Sequence, residues 1–208
     1  MASTPVLPVK HQVGTLHISP AGVAFIYRHE AAPGISNHLY WPGGSSGVTL
    51  GAGYDMKERK TNQISADMVK IGLSNSIAAK IAAGAGLSGS KAEDFAHDNK
   101  SLVSLTRLQE TMLLALIVPH YEAIVRRYIH VPLTQYDFDA LVSFVYNPGG
   151  SFLPVAHDIN KGKIEAAMKV VRHRVFTGGT RSQGLVKRRI DEIQLFLHGA
   201  YYHHQHKH

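Results

Sequence analysis

The sequence of 208 residues predicts an α+β protein in which a small β-lobe is followed by a helical bundle. Three observations support this prediction. An apolar helical segment follows Ser19-Pro20, glycines divide residues 34–55 into short pieces, and apolar residues recur at helical spacing after Ser65. Apolar residues make up 44% of the chain, which is enough for a hydrophobic core.

The first predicted helix begins after Ser19, which can cap it, with Pro20 at the first helical position. Pro33-Gly34 ends the apolar pattern. Glu30 is therefore expected in the last turn of this helix.

The glycine-rich segment 34–55 predicts loops and a short hairpin rather than a helix. Val48-Thr49-Leu50 is its best strand candidate. Further helices are predicted over residues 66–72, 75–83, 90–98, 106–127, 135–146, 164–174 and 182–198. The expected caps are Ser65, Ser74 and Thr134, and Pro119 is expected to kink or interrupt its helix.

The last predicted helix is amphipathic. We expect it to bury Leu185, Ile190, Ile193 and Leu197 and to expose most of Lys187, Arg188 and Arg189. Residues 1–16, with two prolines, predict a leader or linker, residues 17–200 a single domain, and residues 201–208 a disordered His-rich tail.

The formal net charge of +7 indicates a polyanionic partner, and nucleic acid, anionic lipid and the bacterial wall all satisfy that description. The absence of cysteine excludes disulfide scaffolds, thiol catalysis and cysteine-ligated zinc. No transmembrane segment or signal peptide is visible, so we expect synthesis in the cytoplasm and delivery by another system.

Glu30 is the first candidate for chemistry. A lone Glu near a helix end is usually a solvated surface residue. The residues before it, Ala24-Phe25-Ile26-Tyr27, are apolar, and burial against apolar groups favours the protonated carboxyl that a general acid requires. A nearby basic residue would act in the opposite direction, and the sequence leaves both interpretations open.

Thr49 and Asp55 are the next candidates. A straight strand would hold them about 20 Å apart, at roughly 3.3 Å per residue. Joint action at one site requires a sharp bend, which Gly51 and Gly53 permit. A purely structural turn is the alternative interpretation of this run.

Four ordered motifs make the chain resemble the phage-type lysozymes over residues 18–199. They are RHE at 28–30, VTLGAG at 48–53, LTQYDFDALVSFVYNPG at 133–149, and the pair Gly178-Gly179 followed by GLVKRRIDE at 184–192. In that family a helix ends in a catalytic Glu, and a β-lobe with a Thr-x-Gly-x-Gly run follows. The resemblance implies a lysozyme-like fold.

One departure from the family concerns the second carboxylate. Phage-type enzymes place an Asp between the Glu and the Thr, whereas residues 31–48 contain no acidic residue. The chain is more similar in this respect to the pesticin-like bacteriocin and effector muramidases, whose acidic partner follows the Thr. The resemblance therefore implies Glu30, Thr49 and Asp55 as catalytic residues.

The implied activity is hydrolysis of the bond between N-acetylmuramic acid and N-acetylglucosamine in peptidoglycan glycan strands. Glu30 would protonate the leaving oxygen, Asp55 would act as base, and Thr49 would help to hold the attacking water. No cofactor and no metal is expected. The family resemblance favours inversion over retention.

Secondary candidates follow from the same resemblance and from side-chain chemistry. Tyr40 and Trp41 could stack on a sugar or pack the β-lobe, and His38 is either a substitute base or a surface residue. Gln135, Arg181 and Lys187 are candidate substrate contacts by their position in the matched motifs.

Three other functions compete with the muramidase. The missing Asp favours an inactive peptidoglycan-binding domain, lytic transglycosylase activity would leave an anhydro end, and the basic last helix suggests a membrane-disrupting or nucleic-acid-binding protein. No nucleic-acid motif and no segment for stable membrane insertion supports the last of these. We expect a monomer that acts at the cell wall in lysis or interbacterial killing, with an immunity protein or a secretion apparatus as partner.

Overall fold

The computed structural model describes residues 8–202 and divides the chain into two compact units. One unit is Glu30–Ile117, and the other combines the described residues up to His29 with those from Val118 onward. The helices are α1 (Pro20–Glu30), α2 (Thr61–Lys70), α3 (Asn75–Ala82), α4 (Ser90–Asp98), α5 (Arg107–Tyr128), α6 (Gln135–Tyr146), α7 (Leu153–Asn160), α8 (Ile164–His173) and α9 (Gln183–His198). The strands are β1 (Thr49–Leu50), β2 (Tyr54–Asp55), β3 (Phe176–Thr177) and β4 (Thr180–Arg181).

The unit Glu30–Ile117 contains the β-lobe. Strands β1 and β2 form an antiparallel hairpin, and helices α2 and α3 pack against each other after it. The hairpin is buried rather than laid on the surface, since Leu50 and Tyr54 are both fully inaccessible to solvent. Burial of these apolar side chains fixes the register of the hairpin and therefore the positions of its polar residues.

Helix α6 forms the centre of the other unit and packs on α9, while α8 packs on both α7 and α9. The predicted cap is confirmed, because the Thr134 hydroxyl accepts a hydrogen bond from the Asp137 N–H and the Asp137 carboxylate accepts one from the Thr134 N–H. The predicted apolar stripe is also buried; it consists of Phe138, Leu141, Val142 and Val145.

The orientation predicted for the last helix is wrong at four positions. Arg188 and Arg189 are buried, at 3% and 0% exposure, whereas Ile190 and Leu197 are 44% and 43% exposed. The two guanidinium groups are buried because Glu192, which is also buried, accepts hydrogen bonds from both of them.

The charged side chains of this network also join α9 to α6 through hydrogen bonds. Arg188 donates to the Ser143 carbonyl oxygen at 2.9 Å, and Arg189 donates to the carbonyl oxygen of Asn147, the residue that ends α6. The Ser143 hydroxyl donates to Glu192 at 2.7 Å. A buried charge is tolerated only when it is paired and hydrogen-bonded, and each member of this network meets that condition.

Helix α1 begins as predicted, with Pro20 first and the Ser19 hydroxyl accepting from the Gly22 N–H at 3.0 Å. The backbone of α1 comes so close to α6 at Gly22 that there is no room for a side chain. A Cβ built there would lie 2.6 Å from Asp139 Cγ and 2.7 Å from Ile18 Cγ1, so no larger residue fits without displacement. Asp139 is fully buried and accepts hydrogen bonds from Ser19 and Tyr201.

The ends of the described chain are more structured than the sequence suggested. His11 exchanges backbone hydrogen bonds with Leu133, and Val13 and Leu16 are buried, although His11, Val13 and Leu16 all belong to the predicted leader. Tyr201, assigned to the predicted tail, donates to Asp139 at 2.6 Å. The rest of that leader and tail, residues 1–7 and 203–208, lies outside the described residues.

Candidate functional site

Three side chains of the β-lobe stand in one row across adjacent backbone segments. Thr49 is the direct cross-strand partner of Asp55 in the hairpin, and on its other side it exchanges two backbone hydrogen bonds with Tyr40, of 2.8 and 3.0 Å. Directly opposed residues in antiparallel segments present their side chains on the same face. Tyr40, Thr49 and Asp55 therefore share one face of the lobe.

The bend predicted between Thr49 and Asp55 is confirmed. Gly51 and Gly53 have φ values of 62° and 104°, in the region that favours glycine, and they turn the chain back on itself within three residues. The two polar residues thus lie side by side instead of the length of a straight strand apart.

The Asp55 carboxylate is held by backbone N–H groups on both of its oxygens. Oδ2 accepts from Gly47 at 3.2 Å and Oδ1 accepts from Lys57 at 2.7 Å. Gly47 must be glycine for this contact, because a Cβ there would overlap with Asp55 Oδ1 and lie 2.7 Å from the Lys57 nitrogen. Asp55 is half-buried, so its carboxylate is fixed in direction yet still reachable.

The Thr49 hydroxyl donates to the Gly47 carbonyl oxygen at 3.2 Å. A hydroxyl that donates in this way keeps its lone pairs for accepting a hydrogen bond, for example from a water molecule. The residue is only 2% exposed, so any such water would be largely enclosed.

The charge of Glu30 affects the Tyr40 hydroxyl, which belongs to this row. Burial and the negative charges of Glu30, Glu110 and Asp55 raise the pKa of Tyr40 to about 12, with burial the largest cause and Glu30 the largest of the three charges. Such charge effects weaken with distance, so the charges of all three carboxyl groups are near enough to be felt at the phenol. Tyr40 stays neutral at physiological pH and donates to the Gly51 carbonyl oxygen at 3.2 Å.

Glu30 is the last residue of α1, as predicted, and is half-buried. The segment that follows it is fixed by Ser36. The Ser36 hydroxyl accepts from the Ala32 N–H at 3.1 Å and donates to Glu110 at 2.6 Å. The chain leaving Glu30 is therefore anchored to the first turn of α5.

Glu110 is the residue that the sequence analysis missed. It is 5% exposed and lies in the first turn of α5, where an acidic residue normally interacts with the helix N-terminus at the surface. Nothing local in the sequence distinguishes it from such a residue. Only the tertiary fold brings it to Ser36 and Tyr40.

The neighbouring candidates have defined structural contacts. The Trp41 indole N–H donates to the Ser46 carbonyl oxygen at 3.2 Å, which fixes a half-buried ring in the β-lobe. His38 Nδ1 lies 2.7 Å from the Val103 carbonyl oxygen and 3.2 Å from that of Lys100, so Nδ1 carries the proton. Its position is set by these backbone contacts.

Gln135, Arg181 and Lys187 belong to the other unit. The Gln135 amide donates to the His17 carbonyl oxygen at 2.8 Å and to Asp139 at 2.9 Å, and these contacts hold it in a structural position. Arg181 and Lys187 are exposed, Arg181 opposite Phe176 in the β3–β4 hairpin and Lys187 on α9.

Within residues 8–202, no group of three or more His, Asp or Glu side chains is arranged to hold a metal ion. Among the helices described, none combines the length and the apolar character needed to cross a membrane.

Solved structures similar to this chain include the three that follow. The endolysin from Escherichia coli O157:H7 phage FAHEc1 aligns with a TM-score of 0.60 and 22% identity, over 93% of this chain and 100% of that chain. The muramidase domain of SpmX from Asticaccaulis excentricus gives 0.54 and 24%, over 88% and 98%. A mutant of P22 lysozyme gives 0.58 and 22%, over 88% and 99%.

These likenesses confirm the predicted lysozyme-like α+β fold and the resemblance to phage-type lysozymes at the level of fold. No curated protein matches the chain in sequence. A family model described as "Domain of unknown function (DUF8812)" matches residues 28–140, a segment that includes Glu30, Thr49 and Asp55.

Proposed function

Because the chain belongs to the family described as "Domain of unknown function (DUF8812)" and has a lysozyme-like fold, we propose that it is a peptidoglycan hydrolase. In this proposal it is a muramidase that cleaves the glycosidic bond between N-acetylmuramic acid and N-acetylglucosamine. Glu30 is the catalytic acid, Asp55 the base, and Thr49 the residue that holds the attacking water.

The reaction needs one protonated and one ionised carboxyl group. Glu30 donates its proton to the glycosidic oxygen, which leaves as a hydroxyl group. Asp55 takes a proton from a water molecule whose oxygen bonds to the anomeric carbon, and the Thr49 hydroxyl accepts the second hydrogen of that water. The bond from the anomeric carbon to the leaving oxygen breaks as the new bond forms.

The observation that supports this proposal is the shared neighbourhood of the two carboxyl groups. Asp55 lies beside Thr49 across the hairpin, and the charges of Glu30 and Asp55 both raise the pKa of Tyr40. The second carboxylate that the sequence lacks between Glu30 and Thr49 is thus supplied from beyond the turn. This favours an enzyme over the inactive binding domain.

A turbidity assay on purified cell walls tests the assignment. Glu30→Gln and Asp55→Asn should each lower the rate by about 100-fold or more, the size expected for loss of general acid or base catalysis. Glu58→Gln is the matched control, since Glu58 is an exposed carboxylate in the same lobe and should retain full activity. Full clearing of the walls by Glu30→Gln would overturn the assignment of Glu30 as the catalytic acid, whereas lysis of whole cells without clearing of purified walls would favour membrane disruption.

Mass spectrometry of the digested wall identifies the reaction. Hydrolysis leaves reducing-end muropeptides, whereas a lytic transglycosylase leaves anhydro ends. We expect reducing ends. An NMR spectrum of the fresh product, which distinguishes the two anomers, should show inversion, because in this proposal Asp55 activates a water molecule. Anhydro products would show that the protein is a lytic transglycosylase and not a hydrolase.

We propose bacterial lysis or interbacterial killing as the setting. Peptidoglycan lies outside the inner membrane of Gram-negative cells, so the protein should be toxic only when export to the periplasm is added. Expression with and without an export signal tests this, and Glu30→Gln should remove the toxicity. Cells that survive although the exported protein is present are the ones in which an immunity protein should be sought. Toxicity without export would contradict this setting.

A further inference from the structure

A pocket of about 240 Å³ lies next to the proposed catalytic row, within the same unit. Its lining includes Tyr40 and Trp41 on one side and helix α4 on the other. Tyr40 belongs both to this pocket and to the row with Thr49 and Asp55. The pocket therefore shares one residue with the proposed catalytic row, and the proposed mechanism assigns no role to it.

The two walls are held together at both ends, so the pocket is preformed. At one end the Ser46 carbonyl oxygen accepts hydrogen bonds from both the Trp41 indole and the Gly89 N–H, the residue before α4, each at 3.2 Å. At the other end the Leu105 N–H donates to the Asn37 carbonyl oxygen at 2.8 Å. A preformed site costs little ordering on binding.

The lining combines apolar surface, one carboxylate, one ammonium group and the exposed imidazole of His97. Ile35, which is 54% exposed, and Trp41 supply the apolar surface. Glu93 and Lys100, both exposed, supply a carboxylate and an ammonium group. A ligand that matches this lining carries a cationic group, an anionic group and small apolar parts.

We propose that this pocket binds the stem peptide of peptidoglycan, so that the protein recognises the peptide as well as the sugar next to the cleaved bond. A glycan stripped of its peptides keeps the lactyl carboxylate of each N-acetylmuramic acid, but it has no cationic group for Glu93 and no alanine methyl groups for Trp41. The stem peptide offers free carboxylates for Lys100, a free amino group for Glu93 where it is not cross-linked, and alanine methyl groups for Trp41. This inference deepens the proposed function and rests on it for the identity of the substrate.

The test is binding to purified sacculi, intact or stripped of peptide by an amidase, measured by co-sedimentation of the Glu30→Gln variant so that the wall stays uncut. We expect binding to intact sacculi to be about tenfold tighter than to stripped ones. The double change Glu93→Ala and Lys100→Ala should abolish that preference. Both side chains are exposed, so folding should be unaffected.

Lys91→Ala with Asp94→Ala is the matched control. It removes one charge of each sign from exposed positions of α4, the helix that carries Glu93, outside the pocket, and should keep the full preference for intact sacculi. Equal loss of binding to both kinds of sacculi would overturn the proposal by making the pocket a sugar subsite. Unchanged binding to both would overturn it as well.

The two proposals fail in different ways. If the unmodified protein cuts neither kind of sacculus, the hydrolase is wrong, and the peptide preference of the pocket is still measured by sedimentation. If it cuts both kinds equally well and binds them equally, the hydrolase stands and the pocket proposal is wrong.

Discussion

At the scale of single residues, Gly47 determines where the Asp55 carboxylate points. Its N–H donates to one oxygen, and the absence of a side chain leaves room for the other. Gly47→Ala should displace the carboxylate and lower the rate of wall lysis roughly 10- to 100-fold, because small displacements of catalytic groups are costly. The turbidity assay measures this loss.

Gly14→Ala is the control for that experiment, since a Cβ at Gly14 meets nothing within 4 Å and neither glycine has a positive φ. It should leave the rate unchanged. A Gly47→Ala protein with full activity and a normal circular dichroism spectrum would show that the direction of the Asp55 carboxylate is unimportant for catalysis.

Three tyrosines make stability sensitive to alkaline pH. Burial is the largest cause of a raised pKa at Tyr40, Tyr54 and Tyr201, and neighbouring carboxylates add to it. A raised pKa means that the folded protein holds the proton more tightly than the unfolded chain does. For Tyr40, the resulting stabilisation is complete below pH 10.0, the pKa of an unperturbed tyrosine, and is lost as the pH rises towards about 12.

Urea denaturation across this range should show the free energy of unfolding falling as the pH rises. Tyr40→Phe should reduce the fall, because phenylalanine has no proton to lose. Tyr202→Phe, at a position 65% exposed, should leave the pH dependence as it is in the unmodified protein. Identical alkaline curves for the unmodified protein and Tyr40→Phe would contradict the prediction.

At the scale of elements, the α6–α9 contact depends on the buried carboxylate of Glu192. Glu192→Gln leaves the buried guanidinium groups of Arg188 and Arg189 without their counter-charge. Breaking a buried ion pair on one side typically costs about 3–5 kcal/mol, so we expect a loss of that size in the free energy of unfolding. Chemical denaturation measures it.

Lys187→Ala is the control on the same helix, because Lys187 is exposed and should not alter stability. The same variant, assayed on walls, tests the predicted substrate contact. A loss below about 1 kcal/mol for Glu192→Gln would mean that the network contributes no more than a surface ion pair.

The sequence predicted several helices well, both with and without a side-chain cap. Helices 90–98 and 164–174 agree closely with α4 and α8, whose N-caps make no side-chain hydrogen bond. Helices 75–83 and 135–146 agree closely with α3 and α6, whose first turns are capped by Ser74 and Thr134. Helix α2 begins at Thr61, before the predicted cap Ser65, and its N-cap Lys60 makes no side-chain hydrogen bond. Helix α7 was missed, and Phe152 precedes it without a side-chain cap.

Some features depend on tertiary contacts that no local pattern encodes. Helix α5 continues through Pro119, so of the two predicted effects of this proline, a kink or an interruption, the interruption does not occur. The juxtaposition of Thr49 and Asp55 was predictable, because glycines that permit a bend are visible in the sequence. The place of Glu110 beside Ser36 was not, since 74 residues separate the two.

At the scale of the whole molecule, the net charge of +7 favours association with the anionic wall. Binding of the Glu30→Gln variant to sacculi should weaken as salt rises from about 0.05 to 0.5 M, because the ions screen exposed charges over ever shorter distances. Co-sedimentation measures this. Binding that is independent of salt would mean that the overall charge plays no part in holding the protein at the wall.

The hairpin places Asp55 beside Thr49 by strand pairing, not by the number of residues between them. A homologue with a longer turn would keep the same two side chains adjacent, while the interval between them in its sequence would change. Searches for distant relatives should therefore score the pairing of the two strands and allow the turn to vary, since a pattern with a fixed interval would discard proteins whose chemistry is intact.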